Sequence, residues 1–178
     1  LLNALAVVAV GRFVGLSFEA IASTLGSFSG AGRRFQLTGE VCGIKVIDDY
    51  AHHPTEIAVT LETASRMKHQ KLYAAFEAHT FSRVRVLFNE FVKSFNHADV
   101  AIIADIYNDR ERADNEVSGK KLAEAVNLSG TKSLYLPSYQ AIEDYLFENV
   151  KSGDIVMVLG SKYLEKICKP LLERLGKR

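Results

Sequence analysis

The chain has 178 residues, enough for one well-buried domain and a short appendage. Its 48% hydrophobic and 24% charged composition is that of an ordinary globular protein, and a net charge of +1 argues for neither a nucleic-acid groove nor an anionic membrane surface. Cys42 and Cys168 stand apart without metal-ligand spacing, the usage of reduced core cysteines in a cytosolic protein.

Leu1 to Val10 is apolar apart from Asn3, shorter than the about 20 residues that cross a bilayer, and it lacks the basic leader of a signal peptide. With no initiator Met, the start reads as a cut through a longer protein. Leu1 to Val14 is predicted to be a buried helix, apolar on most sides. Ser17 is placed to cap a second helix that ends near Gly26. The small residues from Ser27 to Gly32 predict a linker, with a domain boundary near Gly30.

Beyond it, Phe35 to Cys42 and Ile44 to Ile47 read as a hairpin turning at Gly43. Pro54 opens a helix with Ile57, Leu61 and Ala64 on one face. A strand over Leu72–Phe76 precedes an amphipathic helix over Phe81–Phe95. Val100–Ala104, Ser133–Leu136 and Asp154–Leu159 read as further strands. Gly119–Val126, Tyr139–Asn149 and Tyr163–Leu175 read as helices, the last interrupted by Pro170. Alternation at this spacing predicts an α/β fold: a mainly parallel Rossmann-like sheet with helices on both faces and right-handed crossovers.

In such a sheet, ligands gather outside the carboxyl ends of the strands. Polar groups follow four of these ends: Asp48-Asp49 with His52-His53, Glu77 to Arg83, Asp105-Ile106-Tyr107, and Gly160-Ser161-Lys162. Arg33-Arg34 should lie near the first. Each has a plainer explanation. Asp48 or His53 could cap the Pro54 helix, Arg83 and Arg85 could line a solvated helix face, Asp105 could be a solvated strand end, and Gly160-Ser161 a mere turn. Taken together they suit either of two chemistries. His52, His53, His79, Glu56 and Asp49 could bind a metal, although adjacent histidines point apart and chelate poorly. Alternatively an Asp accepts from ribose hydroxyls while an Arg grips a phosphate or carboxylate. No GxxxxGK[ST] phosphate loop occurs in the chain.

Gly30-Ala31-Gly32-Arg33-Arg34-Phe35, Gly39-Glu40 and the nine residues Asp48 to Glu56 resemble the C-terminal part of a Mur ligase. His79-Thr80-Phe81-Ser82-Arg83 resembles a second motif of that family, and Asp105-Ile106-Tyr107 and Leu159-Gly160 two later strand ends. The double histidine resembles the branch that joins L-alanine to UDP-N-acetylmuramate. The resemblance implies residues 1–29 as the last helices of a central ATP-binding domain and 30–178 as a C-terminal domain. It implies ATP and Mg²⁺ as cofactors, with the metal ligands in the central domain and none on this chain. It further implies a cytoplasmic setting, the enzyme's own N-terminal and central domains as partners, and no nucleic acid or membrane.

Residue by residue, Asn3 would read adenine. Arg34 and Asp49 would be the catalytic pair reaching the nucleotide, Arg toward phosphate and Asp toward ribose. Tyr50, His52 and His53 would face muramate and alanine, and His79 and Arg83 would hold the amino acid. The chain departs from the family pattern at Glu77-Ala78, where Gln-Pro is usual, at Thr80, which is Arg in some relatives, and at Gly160-Ser161-Lys162-Tyr163 in place of Gly-Ala-Gly-Asp. Two alternatives are a peptide-recycling muramate–tripeptide ligase and a non-catalytic α/β interaction module.

Overall fold

The computed structural model of the protein describes residues 2–28, 30–111 and 116–178. Leu1 and Ser29, assigned above to the first helix and the linker, lie outside the described residues. The chain forms two compact units, Leu1–Gly32 and Arg33–Arg178.

The first unit is a helical pair, α1 (Leu2–Phe13) and α2 (Phe18–Ser27). Ser17 caps α2 as expected, its hydroxyl accepting from the Ala20 amide at 3.1 Å. Gly26 does not end the helix, which runs one residue further. The expected burial of α1 is also corrected: Leu5, Val7 and Val10 are exposed, and Phe13 is 91% exposed. Two short helices have too little surface between them to cover an apolar circumference.

The second unit holds six strands: β1 (Gln36–Val41), β2 (Ile44–Asp49), β3 (Leu72–Phe76), β4 (Val100–Ile103), β5 (Lys132–Tyr135) and β6 (Ile155–Leu159). They lie in the order β1-β2-β6-β3-β4-β5, with β1 antiparallel to β2 and every other pairing parallel. The hairpin turns at Cys42 and Gly43, both at positive φ (52° and 74°). That pair of dihedrals matches the right-handed strand twist, and glycine adopts it without a Cβ penalty.

The helices are α3 (Pro54–Ser65), α4 (Phe81–Val86), α5 (Phe88–Lys93), α6 (Gly119–Leu128), α7 (Tyr139–Asn149) and α8 (Cys168–Leu175). The single helix expected over Phe81–Phe95 is two, broken at Leu87 (φ −110°, ψ 26°). Val84, Phe91 and Phe95 still point inward, although Val86 is exposed. The last helix begins as a 3₁₀ turn over Leu164–Ile167, which puts Pro170 in the first turn of α8, where a missing N–H costs little.

Strand order decides which face each helix covers. From β2 to β3, β4 and β5 the chain moves one way across the sheet, so right-handed crossovers place α3, α4, α5 and α6 on one face. From β5 to β6 it returns, which puts α7 on the other. The packing agrees: Ile57, Leu61, Val84, Phe91 and Leu122 share one core with Ala74, Phe76 and Met157. Ile142, Leu146, Leu164 and Leu171 share the second with Tyr73, Ala75 and Val156. Consecutive strand residues alternate between the two. The outgoing segment of β6 leaves to the opposite face from those of β2 and β3. A crevice therefore opens at the carboxyl ends of these three strands, where open α/β sheets take ligands.

Candidate functional site

The crevice has a well-defined floor. Asp49 registers with Leu159, and Leu159 with Phe76, so the ends of β2, β6 and β3 form one row. Asp49 and Phe76 are thus two strand spacings apart, about 9.6 Å. The ladder continues past the strands, with Gly160 N donating to Asp49 O at 3.2 Å and Glu77 N to Leu159 O at 3.0 Å. Gly160 turns the chain at φ 147°, and a Cβ there would meet the Glu77 carbonyl oxygen at 3.0 Å. Glycine is the residue that fits.

On one side of this row stands a pocket of about 390 Å³ lined by Arg34, Phe35, Asp49, Glu56, Val59 and Thr60. Asp49 is buried, and each of its oxygens accepts one backbone amide: Phe35 N at 2.6 Å and Ala51 N at 2.7 Å. A carboxylate has about four acceptor positions, so capacity remains for ligand hydroxyls. Arg34 is exposed, lies over the Tyr50 ring at 5.3 Å, and has no ion-pair partner among the described residues. This pair fits a sugar hydroxyl and an anionic group.

Asp48 does neither of the things expected of it. It is not a helix cap, and it does not face this pocket. Adjacent strand residues point to opposite faces, and Asp48 turns to Arg33, whose Nε lies 2.9 Å from its Oδ2. Burial lifts the Asp48 carboxyl above its usual range although Arg33 opposes the shift, and Arg33 itself is held firmly charged.

The cap of α3 is His53: its Nδ1 accepts from Thr55 N at 3.3 Å. Glu56 closes the box by accepting from His53 N at 3.2 Å, and from His52 N at 3.1 Å. Burial alone would raise the Glu56 carboxyl, but these two amides and the nearby His52 and Arg34 bring it below the ordinary value. His52 folds back, with Nδ1 3.0 Å from Tyr50 O, and meets the Tyr50 ring edge-on. The guanidinium groups of Arg33 and Arg34 each lie 5.3 Å from the centre of the Tyr50 ring.

On the other side of the row, β3 leads into His79 and Arg83. Thr80 sits at φ 71°, a strained conformation for a β-branched residue, held by its N–H to Tyr107 O at 3.0 Å. Among the described residues, His79 Nε2 and Arg83 Nη1 are buried without a hydrogen-bond partner. Asp109 Oδ1 lies 3.5 Å from His79 Nε2, close enough to attract but long for a hydrogen bond. Burial, helped by Lys162 and Arg83, lowers the His79 pKa despite Asp109, so the ring is neutral at pH 7. Orphaned buried donors are rare, and that of Arg83, beside a His79 ring nitrogen that donates or accepts by tautomer, points to a ligand with an acceptor.

The remaining positions are occupied by the protein itself. Glu77, buried, accepts from the Tyr139 hydroxyl and from Tyr163 N at 3.1 Å, so its charge is turned from His79 toward α7. Asp105 accepts from Tyr135 at 2.6 Å, pushing that phenol up to about 12. Asn3 is an exposed residue of α1, in the helical unit. No group of three or more His, Cys, Asp and Glu among the described residues could hold a metal ion. His52, His53, His79, Glu56 and Asp49 therefore do not assemble as a metal centre.

Arg33 and Lys162 were expected at the rim but without these partners, and nothing in the sequence pointed to Asp109. The signal for Arg33 was available: a pair of arginines opposite a pair of aspartates across a hairpin must sort one to each face. Asp109 comes from a loop with no periodicity, and only the fold brings it to His79.

Residues 33–162 match the family model described as Mur ligase, glutamate ligase domain. The chain is 48% identical over 174 residues to the UDP-N-acetylmuramate–L-alanine ligase of Pelotomaculum thermopropionicum, covering 97% of this chain and 38% of that protein. It is 43% identical over 178 residues to the enzyme of the same name from Acaryochloris marina, covering 96% and 37%. In fold it is similar to the UDP-N-acetylmuramate–alanine ligase of Thermotoga maritima (TM-score 0.80, 24% identity, 99% of this chain and 37% of that one). It is also similar to a murein peptide ligase from Psychrobacter arcticus (TM-score 0.73, 26% identity, 99% and 36%). The chain thus spans under two fifths of the length of these relatives. The crevice, its two half-lined sides and the match over residues 33–162 lead to one conclusion: this chain belongs to the Mur ligase family.

Proposed function

We propose that this chain is the C-terminal portion of an ATP-dependent ligase that joins L-alanine to UDP-N-acetylmuramate in cytoplasmic peptidoglycan precursor synthesis. Residues 1–29 would close the central ATP-binding domain, with Asn3 toward adenine, and residues 30–178 would form the C-terminal domain. The observation that carries the reading is the pair of half-sites flanking the Gly160 turn. Arg34 and Asp49 stand open on one side, and on the other Arg83 Nη1 lies buried without a hydrogen bond, as does His79 Nε2.

Arg34 and Asp49 suit the phosphate and ribose of a nucleotide, one by charge and the other by spare acceptor sites. Arg83 suits the carboxylate of the amino acid, with neutral His79 beside it. Tyr50, His52 and His53 would face the muramate. Gripping the amino acid by its carboxylate aims the amine at a muramoyl acyl-phosphate, so the chain contributes orientation. The amine nitrogen bonds to the acyl carbon as phosphate leaves. Mg²⁺ would neutralise ATP phosphates when bound, with its protein ligands expected in the central domain.

The second reading is a ligase of preformed peptides, favoured by the likeness to the murein peptide ligase. Ligation by the full-length enzyme, offered alanine, serine, glycine or a tripeptide, separates the two. Preference for alanine supports the first reading. Turnover of the tripeptide alone would replace it with the second, and turnover of none would leave the interaction module.

A further inference from the structure

We propose that Arg33 is a positioning residue that ties the nucleotide side and the amino-acid side of the rim into one unit. The inference rests on the reading above, but its geometry is independent of which amine is used.

Arg33 sits at φ 57° at the start of the second unit, and its backbone holds the neighbouring strand end: its carbonyl accepts from Tyr50 N at 2.8 Å. Its guanidinium forks onto Asp48, at 2.9 Å from Nε and 3.4 Å from Nη2. The same group reaches across to the end of β6, donating to Gly160 O at 2.6 Å and to Lys162 O at 3.5 Å. Glu165 Oε2 lies 3.6 Å away, and the Tyr50 ring is stacked beneath. Only a planar donor with several N–H groups can serve three segments at once; an ammonium is a single point of charge.

The segment it grips is the one that builds the other half-site. Ser161 Oγ is 3.5 Å from His79 Nδ1, Lys162 Nζ is 3.1 Å from Asp109 Oδ2, and Asp109 faces His79. On its near side, Arg33 aligns the turn whose Phe35 amide donates to Asp49 and whose next side chain is Arg34. Loss of the fork would leave Asp48 buried without its counter-charge and two carbonyls unpaired, and both half-sites would loosen.

The plainer explanation is a stabilising ion pair with no bearing on ligands. Arg174 provides the control, since its Nη1 makes charged hydrogen bonds of 2.6 Å to Glu143 and Asp144 on α7, away from the rim. In the full-length ligase, Arg33→Lys and Asp48→Asn should each raise KM for ATP and for the amino acid about tenfold while kcat changes less, as expected of misplaced binding groups. Their double variant should be little worse than either alone, because both break one linkage. Arg174→Lys should lower Tm without moving either KM. Unchanged KM values for both substrates in Arg33→Lys, with the stability loss of Arg174→Lys, overturn the proposal.

If the unaltered enzyme ligates neither alanine nor peptide, the functional reading fails and the positioning claim is judged on the 178-residue chain. Hydrogen exchange in Arg33→Lys should then quicken about tenfold, by the loss of local protection, at the Phe35 and Tyr50 amides and also at Tyr163. Quickening confined to one side would sink it. Asp48→Asn, which keeps the shape of the pair, stands in if Arg33→Lys does not fold.

Discussion

Asp49 and Arg83 are the two side chains whose loss should separate the two ligands. Asp49 keeps acceptor capacity beyond its two amide partners, and Arg83 has a buried donor with nothing to meet. A hydrogen bond to a charged group contributes about 1.5–3 kcal/mol, roughly tenfold to a hundredfold in affinity. In the full-length enzyme, Asp49→Asn should raise the apparent KM for ATP by that order and leave the amino acid's nearly unchanged, and Arg83→Ala the reverse. Steady-state kinetics with each substrate varied would show it.

His79 makes a prediction about pH. Its folded pKa lies below the ordinary 6.5, so between the two values the unfolded chain binds more protons. Stability should therefore fall as pH drops below 6.5, and His79→Gln should flatten that part of a urea-denaturation profile. Glu56, with its pKa lowered from 4.5, adds a second loss only as pH falls below that value.

At the scale of elements, short helices are placed by their first turns. Pro54 supplies a preset φ, and the reciprocal box of His53 and Glu56 satisfies amides that α3 cannot satisfy itself. The same two residues shape the rim, so the start of α3 is both a structural stop and part of the site wall. Helix α6 is placed by contact. A Cβ on Gly119 would come 2.1 Å from the Ala104 carbonyl oxygen, backbone against backbone, with no side chain free to yield. Gly119→Ala should cost about 1–3 kcal/mol or more by overpacking, visible as a drop in Tm. An equal Tm would mean that α6 docks with more slack than the structure gives it.

Over the whole molecule, the sheet unit carries two cores and a crevice, while the helical pair shows apolar residues to solvent. The chain spans 38% of one relative and 37% of another, and its crevice offers one open half-site at Arg34 and Asp49 and no phosphate-cradling glycine loop. By itself it should release no phosphate from ATP above background and form no amide, because a half-lined site leaves the reacting groups in water. A malachite-green assay with and without alanine tests this, and steady turnover by the chain alone would refute it.

Periodicity, turn chemistry and motif were readable in the chain itself. The hairpin at Gly43, the Pro54 helix, the bounds of Leu72–Phe76 and Tyr139–Asn149, and the gathering of polar residues after the strands all follow from local rules acting over a few residues. The family could be read from nine residues, because capping and backbone hydrogen bonds constrain that turn so tightly. Pairing across long stretches of chain was another matter. That Asp48 belongs to Arg33, that Glu77 is turned toward Tyr139, and that Asp109 reaches His79 depend on which face each side chain takes and on a strand order that inserts β6 between β2 and β3. The exposure of α1 likewise depends on what surrounds a helix, whereas its composition speaks only of what the helix would prefer to touch. Local sequence sets the conformational preference of each segment; hydrogen bonds and charges across the sheet arise only once the segments are packed, and there the site was decided.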